Sequence, residues 1–234
     1  MKALAGIDGC RGGWIVARGE LREGALVVHG AAKVVTLDEA LAGGVVAALD
    51  MPIGLPEVAE AGGRPCDRAA RQRLGRRKSS VFSCPVRAVL EAATYPEALA
   101  RQRASGPGAI GLAKQTWHLV PKMREVDAWI TPARQRRVKE VHPELAFATL
   151  AGAPMEDRKA SFLGRLARLR ALEAAGVVPG DALLLERDRD VAADDVLDAF
   201  ANLWVAARIA RGDAGPAGGH EERDARGLRM SIWT

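Results

Sequence analysis

The sequence predicts an α/β domain with a mixed five-stranded sheet, in which three antiparallel strands are followed by parallel ones. Helices flank this sheet, and a large, mostly helical insertion interrupts it. Three strand-like runs joined by short turns fill the first 35 residues, and such short links are typical of antiparallel hairpins. A helix signal then leads to the almost wholly apolar run 45–50, which is typical of a strand buried on both faces.

The first fifty residues supply four of the strands. The predicted strands are 3–8, 14–18, 25–35 and 45–50. Thr36 and Glu39 form a capping-box pattern that predicts a short helix before the fourth strand. Because a strand reached through a helix usually lies parallel to its neighbour, we expect the fourth strand to pair in parallel with one of the first three.

The second half of the chain returns to regular signals after a basic segment. A strand is predicted at 137–142, where Pro143 stops it, and a last strand at 228–233. Ser161 and Gly176 bound one predicted helix, and a longer one runs over 191–211. The basic segment between the two halves is expected to contain helices at 67–77 and 86–104.

Composition limits the class of protein. A chain of 234 residues fits one domain, 1–234, with an insertion at about 57–136 between the fourth and fifth strands. Apolar residues make up 48% and charged residues 27%, which is globular composition, and no apolar run is long enough to span a membrane. Cys10, Cys66 and Cys84 form neither a zinc spacing nor a disulfide framework, so we expect a cytoplasmic protein.

The charge is unevenly distributed. Residues 57–139 carry 17 Lys and Arg against 7 Asp and Glu, whereas the remainder carries 17 against 22. A basic middle segment in an acidic frame predicts a polyanionic partner. A compositional preference for Arg, which supplies 27 of the 34 basic residues, is the alternative explanation.

Two predicted strands end in an acidic residue. Asp8 follows the apolar run of the first strand, and Asp50 follows that of the fourth. If these strands are parallel neighbours, both carboxylates lie at the carboxyl edge of the sheet, where open α/β sheets bind ligands. Two adjacent carboxylates need a cation or a shared proton, and ligands that are all oxygen favour Mg²⁺ or Mn²⁺. The alternative is that each Asp only caps a turn.

The long C-terminal helix adds further carboxylates. Between 191 and 209 its charged residues are Asp194, Asp195, Asp198 and Arg208, and the rest of the helix is mostly apolar. Asp195 and Asp198 are three residues apart and share a face. The helix dipole could explain an acidic residue at the first turn, but Asp198 lies deeper. We therefore expect a functional role for Asp195 and Asp198.

A third acidic group surrounds the fifth strand. Glu140 and His142 share one face of that strand, and Glu144 follows Pro143 in a place that we expect to resemble that of Asp50. His142 is either a ligand or proton shuttle, or a hydrogen-bonded structural residue.

The order of elements and the placement of these acids resemble the RNase H-like fold. The stretch DVLDA (195–199) resembles the D-x-x-D-A helix signature of Holliday-junction resolvases. More narrowly, the sequence resembles the family numbered 429 among the domains of unknown function, described as predicted RNase H-like nucleases. The matching motifs are GIDGCRGGW (6–14), DMPIGLP (50–56), CDRAAR (66–71), SSVFSCPVR (79–87), VPKMREVD (120–127), EVHPE (140–144), DDVLDA (194–199) and GLRMSIW (227–233).

This resemblance implies a metal-dependent nuclease with a two-metal-ion site. Asp8, Asp50, Asp195 and Asp198 would be the catalytic ligands of Mg²⁺ or Mn²⁺, and Glu140 and Glu144 are further candidate ligands. Nucleic acid would be the partner, with a homodimer left open. The candidate contacts to nucleic acid are Arg11, Arg68, Arg71, Arg76, Arg77, Lys78, Ser79, Ser80, Arg87 and Lys122. The alternatives are a non-catalytic nucleic-acid-binding or regulatory protein, and a phosphohydrolase acting on a small nucleotide.

Two other residues have competing explanations. Trp117 either stacks on a base or packs in the core. Cys84 is expected to be a buried, inert thiol rather than a nucleophile, because no His lies near it in the sequence.

Overall fold

A computed structural model describes residues 1–107, 109, 111–219 and 222–234. The chain forms two compact units. The first comprises 1–50, 137–215 and 233–234, and the second comprises 51–136 and 216–232. Within the described ranges, no helix is both long and apolar enough to cross a membrane.

The main sheet has six strands in the order β3-β2-β1-β4-β5-β8. The strands found in the described part of the chain are β1 Lys2–Cys10, β2 Gly13–Arg22, β3 Ala25–Val34, β4 Val46–Leu49, β5 Val138–Val141, β6 Glu222–Arg223, β7 Arg229–Met230 and β8 Ile232–Trp233. β1 to β3 pair antiparallel, whereas β4 lies parallel to both β1 and β5. β6 and β7 form a separate two-stranded ribbon.

This sheet confirms the predicted mixed α/β architecture and corrects its strand number. The first five strands follow the predicted order, and the two-residue β8 adds a sixth at the edge. The single predicted last strand is divided into β7 and β8. The strand order and directions are consistent with the RNase H-like fold, and β1 lies inside the sheet between β2 and β4.

Seven α-helices accompany the strands within the described residues. They are α1 Leu37–Ala40, α2 Pro65–Leu74, α3 Tyr95–Ala104, α4 Lys114–Trp129, α5 Pro143–Ala151, α6 Phe162–Ala174 and α7 Ala193–Arg211. Thr36 Oγ1 accepts the Glu39 N–H at the start of α1, as predicted. The Glu39 carboxylate, however, accepts the N–H of Val35 instead of that of Thr36, so the capping box is shifted by one residue.

The helices of the second unit differ most from the prediction. The expected helix 86–104 is wrong as one element, because a 3₁₀ turn at 87–91 precedes a separate α3. Thr94 caps α3 by accepting the Glu97 N–H, and Pro96 lies in the first turn, where its missing N–H costs nothing. α4 was not predicted, although it is the longest helix of this unit.

The hydrophobic core of the first unit lies between α7 and the sheet. Phe200 and Leu203 of α7 are fully buried in one cluster with Leu4 of β1 and Ile15 of β2. Gly212 ends α7 in the left-handed conformation. The predicted long, mostly apolar helix is therefore confirmed as the helix that covers the sheet.

Candidate active site

Helix α7 approaches β1 so closely that only a glycine fits between them. A Cβ atom on Gly6 would lie 2.0 Å from the backbone nitrogen of Leu203 and 2.2 Å from the carbonyl oxygen of Ala199. One residue along β1, the carbonyl of Ile7 accepts a hydrogen bond of 2.9 Å from Nδ2 of the buried Asn202. Backbone contact and this hydrogen bond thus fix α7 beside the residue that follows, Asp8.

Asp8 and Asp50 lie side by side on adjacent parallel strands. Ile7 pairs with Leu49 in the parallel register, and the Asp50 N–H donates to the Ile7 carbonyl at 2.9 Å. The next residues are therefore cross-strand neighbours, and the charge of Asp50 acts directly on the carboxyl group of Asp8. Two carboxyl groups in such contact must share a proton, or a cation must replace it.

Two acidic residues of α7 act electrostatically on this pair. Burial raises the pKa of Asp8 well above its usual range, and the charges of Asp50, Asp198 and Asp195 raise it further, in that order. Burial is also the main cause that raises the pKa of Asp198, to about 7. The structure thus brings together the four acids that sequence analysis singled out, and their charged forms oppose one another.

Lys159, which sequence analysis missed, provides the counter-charge. Its Nζ lies 2.8 Å from Oδ2 of Asp194 and 2.9 Å from Oδ2 of Asp198. Burial lowers the pKa of Lys159, but the charges of Asp198, Asp8 and Asp194 outweigh it and raise the pKa. Asp194 and Asp198 are four residues apart on one helix face, so a single ammonium group can bridge them.

Asp195 has a different partner from Asp198. Its carboxylate accepts the N–H of Ala192 at 2.9 Å and so caps the first turn of α7. Asp195 is half-buried, and burial raises the pKa of its carboxyl group. The two acids of the D-x-x-D pair therefore make different contacts, one with the helix end and one with Lys159.

His142, not Glu144 as expected, is the first residue after β5, although the strand register places Val141 rather than His142 opposite Asp50. His142 directly follows β5, as Asp50 directly follows β4, and Leu49 pairs with Glu140 in the register between these strands. Nδ1 of His142 accepts the N–H of Glu144 at 3.2 Å, which caps α5 and leaves the ring proton on Nε2. Burial is the main cause that raises the pKa of Asp50, and His142 lies within electrostatic range of this carboxyl group.

Glu144 lies in the first turn of α5 and forms a buried ion pair. Its Oε1 is 2.7 Å from NH2 of Arg168, whose side chain has no exposed surface. NH1 of the same guanidinium donates to the carbonyl of Gly164 at 3.0 Å. This contact gives Glu144 a structural role, whereas Glu140 is buried on β5 beside Leu49.

The donor set has the chemistry of a divalent-cation site, but its present contacts do not form one. Within the described ranges, no three His, Cys, Asp or Glu side chains are grouped so that they could hold a metal ion. Lys159 Nζ lies 2.9 Å from Oδ2 of Asp198, so one of the four acids already has a cationic partner. Carboxylate oxygens are nevertheless the ligands that Mg²⁺ and Mn²⁺ prefer, so the four acids have the donor chemistry that such an ion requires.

One known protein family matches most of the chain. A family model described as "Protein of unknown function (DUF429)" matches residues 6–223. The chain belongs to this family. The match covers all four acids and ends before the GLRMSIW motif at 227–233. No curated protein and no solved structure matches the chain.

Several motifs of this DUF429 chain have structural roles in the second unit. The Arg64 guanidinium and the Asp67 carboxylate form a buried pair with NH2 and Oδ1 2.8 Å apart. Arg64 NH1 also donates to the carbonyls of Ile53 and Gly54, and Oδ2 of Asp67 accepts the N–H of Cys84 at 3.1 Å. Parts of the DMPIGLP, CDRAAR and SSVFSCPVR motifs thus hold one another, and Cys84 is buried as expected.

Three of the candidate arginines bind their own chain. Arg87 pairs with Glu57, Asp127 and Asp224. Arg71 donates to the carbonyls of Gly62 and Val81 and to Ser83, and Arg68 pairs with Glu60 at 2.9 Å. Their guanidinium groups are therefore partly or wholly occupied by protein acceptors.

The remaining candidates for nucleic acid are more exposed. Arg76, Lys78 and Ser79 are exposed on the 3₁₀ turn 75–80, and Arg77 and Ser80 are half-buried there. Lys122 is half-buried on α4, as is Trp117, whose ring centre is 6.3 Å from that of Tyr95. Arg11 is exposed in the turn after β1, where its backbone N–H donates to the carbonyl of Asp190.

Proposed function

We propose that this protein is a metal-dependent nuclease that hydrolyses phosphodiester bonds. The observation that carries the proposal is the convergence of Asp8, Asp50, Asp195 and Asp198 from three elements into mutual electrostatic range. Mg²⁺ or Mn²⁺ bound there would activate water and stabilise the leaving oxygen. The resemblance to RNase H-like nucleases and the all-oxygen donor set support the proposal.

Asp8, His142 and Glu144 would have different roles around such a site. Asp8 is next to Asp50 and within electrostatic range of both acids of α7, so it is the residue best placed to serve two ions. His142 carries its ring proton on Nε2 and lies in electrostatic range of Asp50. Glu144 is occupied by Arg168 and positions α5 and α6 relative to each other.

Nucleic acid is the partner that the charge distribution favours. The second unit contains most of the basic segment, and Arg76, Arg77 and Lys78 follow one another on its 3₁₀ turn. Arginine and lysine side chains bind phosphate oxygens without reading sequence, so we propose that this turn binds the phosphate backbone of nucleic acid.

A second candidate function has a specific observation in its favour. Lys159 neutralises Asp198 directly, and the acids as they stand form no group of three around a metal. Both facts are what a nucleic-acid-binding or regulatory protein that has lost turnover would show. A phosphohydrolase of small nucleotides would use the same acids but would not need the basic turn.

A cleavage panel separates these functions. The full chain is incubated with single- and double-stranded DNA, RNA, an RNA–DNA hybrid, a four-way junction and a nucleoside triphosphate. Each substrate is tested with Mg²⁺, with Mn²⁺ and with EDTA. We expect metal-dependent cleavage of at least one polynucleotide. Polynucleotide binding without cleavage would favour the non-catalytic function, and hydrolysis of the triphosphate alone would favour the small-nucleotide function.

The basic turn makes a separate prediction about binding. Replacing Arg76, Arg77 and Lys78 together by Ala should weaken binding to double-stranded DNA and flatten the plot of log K against log salt by about 2 to 3 units, because each lost phosphate contact releases about one counterion fewer. The measurement is fluorescence anisotropy in EDTA over a range of salt concentrations.

The control removes the same charge elsewhere. Arg158, Arg170 and Arg189 are exposed in the first unit, and their triple Ala variant should keep most of the wild-type slope. If both triple variants lose the same slope, only net charge matters and the basic turn is not a binding surface.

A further inference from the structure

Lys159 is held in place by the turn that contains it. Ser161 Oγ accepts the Gly164 N–H at 3.0 Å and caps α6, and the Ser161 N–H donates to the carbonyl of Arg158. A Cβ on Gly164 would lie 1.9 Å from that same carbonyl oxygen. The turn 158–161 is therefore packed directly against the first turn of α6, and the backbone of Lys159 has a fixed position.

With its backbone in this position, Lys159 places its ammonium group against the buried acid Asp198. Nζ is 2.9 Å from Oδ2 of Asp198, a carboxylate with only 3% of its surface exposed. The second bond, to Asp194 at 2.8 Å, reaches a more exposed acid on the same helix face. The influence of Lys159 extends further, because its charge lowers the pKa of Asp8, Asp50, Asp195 and Asp198 alike.

We infer that Lys159 is a built-in competitor of the divalent cation: it occupies Asp198 in the metal-free protein and must release this carboxylate when the metal binds. The inference rests on the proposed metal site. A divalent ion and an ammonium group on the same carboxylate repel each other, and the carboxylate of Asp198 is buried. Asp194 is the residue that retains Lys159 after release, since it already binds the same nitrogen.

Competition has two measurable consequences. Without metal, Lys159 offsets the repulsion among the acids, so it stabilises the metal-free fold. With metal, it lowers the affinity of the site, because breaking its bond to Asp198 opposes binding. A residue that merely oriented Asp198 for the metal would have the opposite effect on affinity.

The test compares Lys159→Gln with a matched lysine. Lys33 also bridges two aspartates, Asp188 and Asp190, at 2.9 and 3.2 Å, and neither belongs to the proposed site. Mn²⁺ binding is measured by titration calorimetry and by the electron paramagnetic resonance signal of free Mn²⁺. Melting temperatures are recorded in EDTA and in Mn²⁺.

We expect Lys159→Gln to bind Mn²⁺ about tenfold more tightly or better than the wild type, and to gain more melting temperature from Mn²⁺. Lys33→Gln should bind Mn²⁺ like the wild type, and Lys159→Arg should keep the weaker affinity because it keeps the charge. Unchanged or weaker binding by a folded Lys159→Gln overturns competition while leaving the metal site standing. If neither the wild type nor Lys159→Gln binds Mn²⁺, the proposed site itself is wrong and the competition falls with it.

A second measurement needs no substitution and covers the case of an unfolded variant. A crystal structure of the wild type with Mn²⁺ bound at these acids should show the contact between Lys159 Nζ and Asp198 broken and the contact to Asp194 retained. Bound Mn²⁺ with the Asp198 contact still at hydrogen-bond distance overturns the inference.

Discussion

Asp8→Asn should reduce metal-dependent cleavage by about two orders of magnitude or more, because it removes the charge that would offset a divalent cation at the centre of the four acids. Asp8 is the central acid by position: it neighbours Asp50 across the sheet and is in electrostatic range of both Asp195 and Asp198. The assay is the substrate that the wild type cleaves in the panel, with initial rates in Mg²⁺ and in Mn²⁺.

The same substitution should not unfold the protein. An Asn side chain has nearly the same shape as Asp, and it has no charge to bury. The pKa of Asp8 in the folded protein lies well above the usual value of 3.8. The protonated Asp8 carboxyl group therefore contributes its full stabilising free energy below pH 3.8, and this contribution is lost as the pH rises toward the folded-state pKa. In EDTA, Asp8→Asn should therefore gain stability over the wild type as the pH rises above 3.8.

Asp181→Asn is the control, because it removes one charge from an exposed position of the same unit. It should leave cleavage unchanged. A folded Asp8→Asn that cleaves as fast as the wild type would show that these acids are not the active site.

The second large effect is expected at Gly6. Gly6→Ala places a methyl group 2.0 Å from the backbone nitrogen of Leu203, and the backbone of α7 cannot move aside like a flexible side chain. Because the overlap is with backbone atoms, the substitution should cost more than about 3 kcal/mol and lower the melting temperature by roughly 10 °C. Thermal unfolding followed by circular dichroism measures this.

Gly215→Ala is the matched control for this substitution. An added Cβ at Gly215 meets no atom within 4 Å, and Gly215 does not have a positive φ. Its melting temperature should stay close to that of the wild type. Equal stability of the two variants would mean that α7 does not lie against β1 at backbone distance.

The sequence was sufficient where the signals were local. Asp8 and Asp50 could be predicted to lie together because an apolar run followed by Asp marks the end of a buried strand, and one helix between strands implies parallel pairing. The break in the predicted helix 86–104 also has a local signal, because Thr94 followed by Pro96 is typical of the start of a new helix.

Lys159 could not be predicted in this way. It lies in a loop after α5, and its contact with Asp198 depends on how α6 packs beside α7. No periodicity or spacing in the sequence records that packing. Asn202 was different, because a polar residue four positions after Asp198 in an apolar helix shares its face, and this was a usable sign.

The carbonyl group of Ile7 links the three elements that carry Asp8, Asp50 and Asp198. The oxygen of Ile7 accepts hydrogen bonds from the Asp50 amide and from Asn202, which uses both of its lone pairs. The strand of Asp8, the strand end of Asp50 and the helix of Asp198 are thus joined at a single atom. A displacement of any one of the three elements therefore stretches or breaks a hydrogen bond at this oxygen unless the elements move together.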